Sequence, residues 1–99
     1  MKPTTKALAA TLAQISKETG VALKVGAVSL AQYAEAQGER LLAAQANGEP
    51  GLEDAALAAR GAILLHAGIV ASDEGDATDQ RVIGAVHSFL AFLLAAALG

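Results

Sequence analysis

From Val82 to Leu98 the chain is apolar on nearly every side of a helix, and only Gly84, His87 and Ser88 interrupt it. A helix with no wet side has to be buried on every side. The chain has 99 residues, enough for one domain, and a domain that small buries only about 60–65% of the surface its unfolded chain exposes. One copy is therefore not expected to enclose this helix alone. Val82, Val86, Phe89, Leu90, Phe92, Leu93, Leu94 and Leu98 are read as a seam between copies.

Composition points the same way. Apolar residues make up 54% of the chain and charged residues 17%, against a usual charged share near 25%. The apolar residues are mainly Ala and Leu, with Tyr33, Phe89 and Phe92 as the whole aromatic content. Ala and Leu are strong helix formers, and strand-forming residues are few. The fold expected is all-α, a small bundle of about four helices that oligomerises through its C-terminal helix.

Turn and cap residues divide the chain. Pro3 followed by Thr4 and Thr5 marks a helix start with a Thr as N-cap. The first helix is expected over residues 5–18, with Leu8, Leu12 and Ile15 on one stripe and Gly20 as its stop. Residues 20–28 are ambiguous between helix and loop. Ser29 reads as the N-cap of a second helix over 29–46, with Gln32 in the capping-box position. Gly38 interrupts that helix, and close approach of a neighbour would explain it. Asn47-Gly48-Glu49-Pro50-Gly51 is a loop. A third helix over 52–71 has Glu53 and Asp54 in its first turn, where they complement the helix dipole. Leu57, Gly61, Leu64, Leu65, Gly68 and Ile69 mark its packed side. Ser72 to Asp76 form an acidic turn, and a fourth helix covers 78–98, with Thr78 or the residues just before it at the start.

Several chemistries lack their residues. There is no Cys, hence no disulfide, thiolate metal site or Cys nucleophile. The formal net charge is −3, and the seven basic residues are scattered. Nucleic-acid binding thus loses both its electrostatic footprint and its stacking platform. No G-x-S-x-G, P-loop or G-x-G-x-x-G occurs. Ser88 follows His87 directly, and adjacent helix positions diverge too far to pair as nucleophile and base. Ser29 and Ser72 have capping roles open to them. Asp73, Glu74, Asp76 and Asp79 lack the spacing of a calcium loop. Glu35 and Glu39, one turn apart, could join His66 and His87 in a metal or acid–base site, but neither His stands in a Glu-x-x-His pattern. A solvated acidic face and two packed histidines are the simpler expectation. No metal or cofactor is expected, and no enzymatic activity.

Three functions fit these residues. The first is a non-enzymatic homo-oligomeric assembly protein, its seam on helices three and four. Small residues at four-residue spacing (Gly84/Ser88, Ala91/Ala95) would let helices approach closely there. The second is an oligomer that binds a small anionic metabolite or nucleotide in a pocket between subunits. Arg60, Arg40, Arg81 and Lys24 are its candidate anion contacts and Tyr33 its stacking residue. Arg60 stands out because it interrupts an apolar helix. The third is a small membrane pore. Val82–Leu98 lies at the short limit for a spanning helix, and no flanking positive cluster or aromatic belt follows it. The N-terminus leads into an amphipathic run rather than a signal peptide. A cytoplasmic protein is expected, of the style common in bacteria and their phages.

Overall fold

The structure is a computed structural model. It describes the backbone of residues 2–20, 23, 25–68 and 77–98, and the side chains of these except 77, 78 and 96–98. Four helices carry the fold, and all regular structure among the described residues is helical: α1 (Pro3–Thr19), α2 (Ala27–Ala46), α3 (Leu52–Ala67) and α4 (Ala77–Leu98).

The helix ends differ from the sequence expectation for identifiable reasons. Helix α1 starts at Pro3, not Thr5. Proline suits the first helical position, because its missing N–H would have no intrahelical partner there. Thr5 is not a cap. Its side chain is fully buried and donates to Glu35 Oε2 on α2 at 2.6 Å. Helix α2 starts at Ala27 behind Gly26, so Ser29 lies inside the first turn and caps nothing. The earlier start lets Ala27 pack on the core. Helix α3 stops at Ala67, because Gly68 takes the left-handed conformation at φ 82° and ends it. Gly20 ends α1 in the same way at φ 70°. The proposed helical residues 69–71, the acidic turn 72–76 and Lys24 lie outside the described residues, as does the side chain of Thr78.

Packing follows a diagonal plan. Helices α2 and α4 touch each other, and each also touches α1 and α3, while α1 and α3 do not meet. The two inner helices thus form the short diagonal of a rhombus, and the bundle is flat, 42 × 30 × 19 Å. The core is built from Leu8, Leu12 and Ile15 of α1, Leu30 and Leu41 of α2, Ile63 and Leu64 of α3, and Val82, Val86 and Leu90 of α4. Small residues Ala31, Ala34, Ala59 and Ala67 fill the spaces between them.

Gly38 lies in the diagonal contact. This residue is buried in the middle of α2. A Cβ added there would run into Leu93 Cδ1 of α4. The glycine weakens α2 locally but leaves room for the end of the Leu93 side chain against the α2 backbone.

Helix α3 packs a different side from the one read in the sequence. Ala59, Ile63, Leu64 and Ala67 are buried, whereas Leu57 and Leu65 are 53% and 72% exposed. Ala59, Ile63 and Ala67 repeat at four-residue spacing with Leu64 beside them, and the set faces both inner helices. Leu65 lies on the outer side, whereas Leu57 stands at the edge of the packed face, beside α2 and α4; periodicity alone does not distinguish these positions.

No described helix is long and apolar enough to cross a membrane.

Two glycine substitutions should differ. Gly38→Ala gains helix propensity of about 1 kcal/mol but displaces the end of the Leu93 side chain, at the low end of the about 1–3 kcal/mol typical of overpacking. No net gain is expected. Nothing lies within 4 Å of a Cβ added at Gly61 on α3, so Gly61→Ala should gain up to about 1 kcal/mol. Urea unfolding of both variants checks the pair, and an equal gain in both would contradict the packing described.

Candidate functional site

Helix α4 has two faces. Its inner face holds Val82 and Val86 at 0% exposure, Phe89 at 7% and Leu90 at 3%. These four were expected at a subunit seam, and the structure corrects that: their own chain covers them. The inference from all-round apolarity failed because Ala and Gly count as apolar in a sequence yet expose little hydrocarbon on a surface. Leu93 and Leu94 are half-buried against the core. The side chain of Leu98 lies outside the described set.

The outer face carries Arg81, Gly84, Ser88, Ala91 and Ala95, all exposed. Their spacing alternates three and four residues, the period of a helix–helix seam. Beside this ridge stands Phe92, 56% exposed. On the α1 side the ridge borders an open groove of about 870 Å³. It is lined by small residues, among them Ala7, Thr11, Gly84 and Ala85, and by the large Leu8, Ile15 and Phe89, with Phe92 also along it. A Cβ added at Gly84 would meet nothing within 4 Å. The outer face therefore has a gap at Gly84, where no side chain projects, and an exposed ring at Phe92.

On the other side of the ridge, α2, α3 and α4 enclose a smaller cleft of about 370 Å³. Leu52, Ala56, Leu57, Leu90 and Leu94 make most of its wall, with Gln45, Glu53, Arg60 and His87 as its polar groups. Two polar atoms here are shut off from solvent without a hydrogen-bond partner: Arg60 Nε and Gln45 Oε1. Burying an unpaired polar group costs on the order of 1–3 kcal/mol, and more for a charged one. Gln45 had no signal in the sequence; it is one of several polar residues on α2, and only the fold brings it to the cleft.

The other candidate anion contacts do not join Arg60. Arg81 Nη2 donates to Glu18 Oε2 at 2.6 Å, tying α4 to α1. Arg40 is exposed on α2 and lines neither cleft. Lys24 falls outside the described residues. Tyr33 stacks on His66, with ring centroids 4.2 Å apart and planes 11° from parallel. That stack ties α2 to α3 and occupies one face of the ring.

The metal or acid–base grouping is not assembled. Glu35 takes the Thr5 hydroxyl and lies 3.6 Å from Lys2 Nζ, and Glu39 accepts a hydrogen bond from Lys2. His66 is engaged with Tyr33, and His87 lines the cleft on α4. Among the described residues no group of His, Asp and Glu could hold a metal ion. The two carboxylates serve instead to hold the start of α1 against α2.

The ion pairs leave a pH signature. The Glu18 carboxyl is held below its usual 4.5, first by the hydrogen bond from Gln14 and then by Arg81. A lowered carboxylate contributes fully above about pH 4.5 and loses its contribution as pH falls through the folded value. Lys2 is raised above 10.5, chiefly by its hydrogen bond to Glu39. Its contribution is complete below that pH and is lost as pH rises through the folded value. Both groups are exposed, so the effects on stability should be small. In an NMR titration, Gln14→Ala and Arg81→Ala should each move Glu18 part of the way back to its usual value. An unchanged Glu18 midpoint in both variants would contradict the pairing.

No family model, curated protein or solved structure matches the chain.

Proposed function

We propose that the protein is an assembly module that pairs with a second copy of itself along the outer face of α4. The observation that carries this reading is the exposed ridge of small residues with Phe92 beside it. A two-fold interface uses the same patch on both subunits, so the patch must fit itself. This one has a matching knob and hollow. Phe92 and Gly84 are equally distant from Ser88, four residues on either side. In an antiparallel pair of α4 helices with its axis at Ser88, Phe92 of each copy lies over Gly84 of the other. The knob-to-hollow distance along the helix is about 12 Å at 1.5 Å per residue. Ser88 at the crossing and the alanines along the ridge permit close approach of the backbones.

Covering what remains exposed of a Phe ring contributes about 2–3 kcal/mol at about 25 cal/mol per Å². Two such rings give about 5 kcal/mol, against an association cost of at least about 4 kcal/mol. The rings alone yield weak pairing, and the ridge contacts must supply the rest. A dissociation constant in the micromolar range is the outcome expected.

Sedimentation equilibrium over about 1–100 µM chain should show a reversible shift from one chain mass to two. Phe92→Asp and Ser88→Arg should each weaken pairing by about 2 kcal/mol or more, the scale of an interface hot spot, with far-UV circular dichroism unchanged. A wild-type protein that stays a single chain throughout that range contradicts the reading.

A further inference from the structure

We propose that the cleft between α2, α3 and α4 is a binding site for a small, mainly hydrocarbon monocarboxylate that carries a hydroxyl group. The inference rests on Arg60 and Gln45 and does not depend on pairing between copies.

Arg60 lies in α3 between Ala59 and Gly61, half-buried, with its Nε closed off from solvent and unpaired. Once the guanidinium rotates toward the cleft, a planar anion can accept from Nε–H and a terminal N–H together. Glu53 lines the same cleft, yet no ion pair joins it to Arg60 among the described residues. Arg60 is the permanent cation of the cleft, Glu53 offsets it, and His87 adds a ring N–H donor. A monoanion suits that local charge better than a doubly charged phosphate. Gln45 Oε1 is the second unpaired atom and is an acceptor; with the amide turned to the cleft it calls for a donor on the ligand, which the hydroxyl supplies.

The remaining wall is hydrocarbon, from Leu52, Leu57, Leu90 and Leu94 among others. The volume of about 370 Å³ lies at the low end for small-molecule sites. At about 30 Å³ per water-sized group it holds about twelve such groups. Octanoate and 3-hydroxyoctanoate have the right size and charge to serve as probes.

The test is titration of the full chain with octanoate, 3-hydroxyoctanoate and octanol, followed by calorimetry and by the NMR signal of Arg60 Nε–H. Octanoate should bind saturably at one site per chain and move that signal. Octanol, which lacks the charge, should bind at least about tenfold more weakly, and 3-hydroxyoctanoate several-fold more tightly than octanoate. Arg60→Leu should remove the preference for octanoate over octanol while leaving the helical spectrum intact. Arg60→Lys keeps the charge without the planar fork and should fall between the two. Equal binding of octanoate and octanol, an unmoved Arg60 signal, or an Arg60→Leu variant that binds octanoate as tightly as the wild type would each overturn the proposal. A hydroxyl that brings no gain would overturn the role given to Gln45.

Discussion

The contact between α4 and α2 sets the plan of this protein. A four-helix bundle in which each helix touches only two others has a square section and a shared central core. Here α2 and α4 also meet each other, and the end of the Leu93 side chain takes the space that a side chain at position 38 would need. The square becomes a rhombus, with α2 and α4 as its short diagonal and α1 and α3 held apart. Flatness follows from that geometry. The polar locks sit at the periphery of this frame. Lys2 and Thr5 bind α1 to α2 through Glu35 and Glu39, and Arg81 binds α4 to α1 through Glu18.

The same contact gives α4 its two characters. Its large side chains turn inward, where Val82, Val86, Phe89 and Leu90 complete the core. Its outward positions are Gly84, Ser88, Ala91 and Ala95, too small to demand burial. Exposing a methyl group costs under about 1 kcal/mol, so a single chain can carry such a ridge in water. Phe92 is the one large apolar α4 side chain exposed among the described residues, which is why the pairing reading concentrates on it. The ridge also separates the two clefts, so the face proposed for pairing and the site proposed for a ligand are neighbours on one helix while drawing on different residues.

Much of the fold was legible from the residues alone. Leu8, Leu12 and Ile15 announced a buried stripe, Gly20 a stop, Asn47 to Gly51 a loop, and Gly38 a close approach; all four hold in the structure. What escaped was whatever depends on which side of a helix meets its neighbours. Leu57 and Leu65 looked like core; Leu65 faces outward and Leu57 stands half-exposed beside α2 and α4, because the apolar pattern of α3 runs past its packed face. Thr5 looked like a cap and is instead a buried donor to a carboxylate thirty residues away. Of the candidate ligand residues, Arg60 stood out in sequence as a charge in an apolar helix, and its buried Nε is unpaired. Its neighbour Gln45 could not be anticipated, since nothing local ties position 45 to position 60. Arg81 carried the same charge as Arg60, and only the fold shows that Glu18 already takes it.

The account turns on α4 having one face closed by its own chain and one face open to a second copy. Because the protein contains no cysteine, single introduced thiols report on this without interference. A disulfide across a two-fold axis needs Cα atoms about 4.4–6.8 Å apart, a separation the proposed pairing gives only near its axis. Under mild oxidation Ser88→Cys should form a linked dimer rapidly, whereas Val86→Cys, enclosed in the core, and Ala43→Cys, exposed on α2, should remain single chains. Linkage at Ala43 as fast as at Ser88, or none at Ser88, would show that the outer face of α4 meets no partner copy.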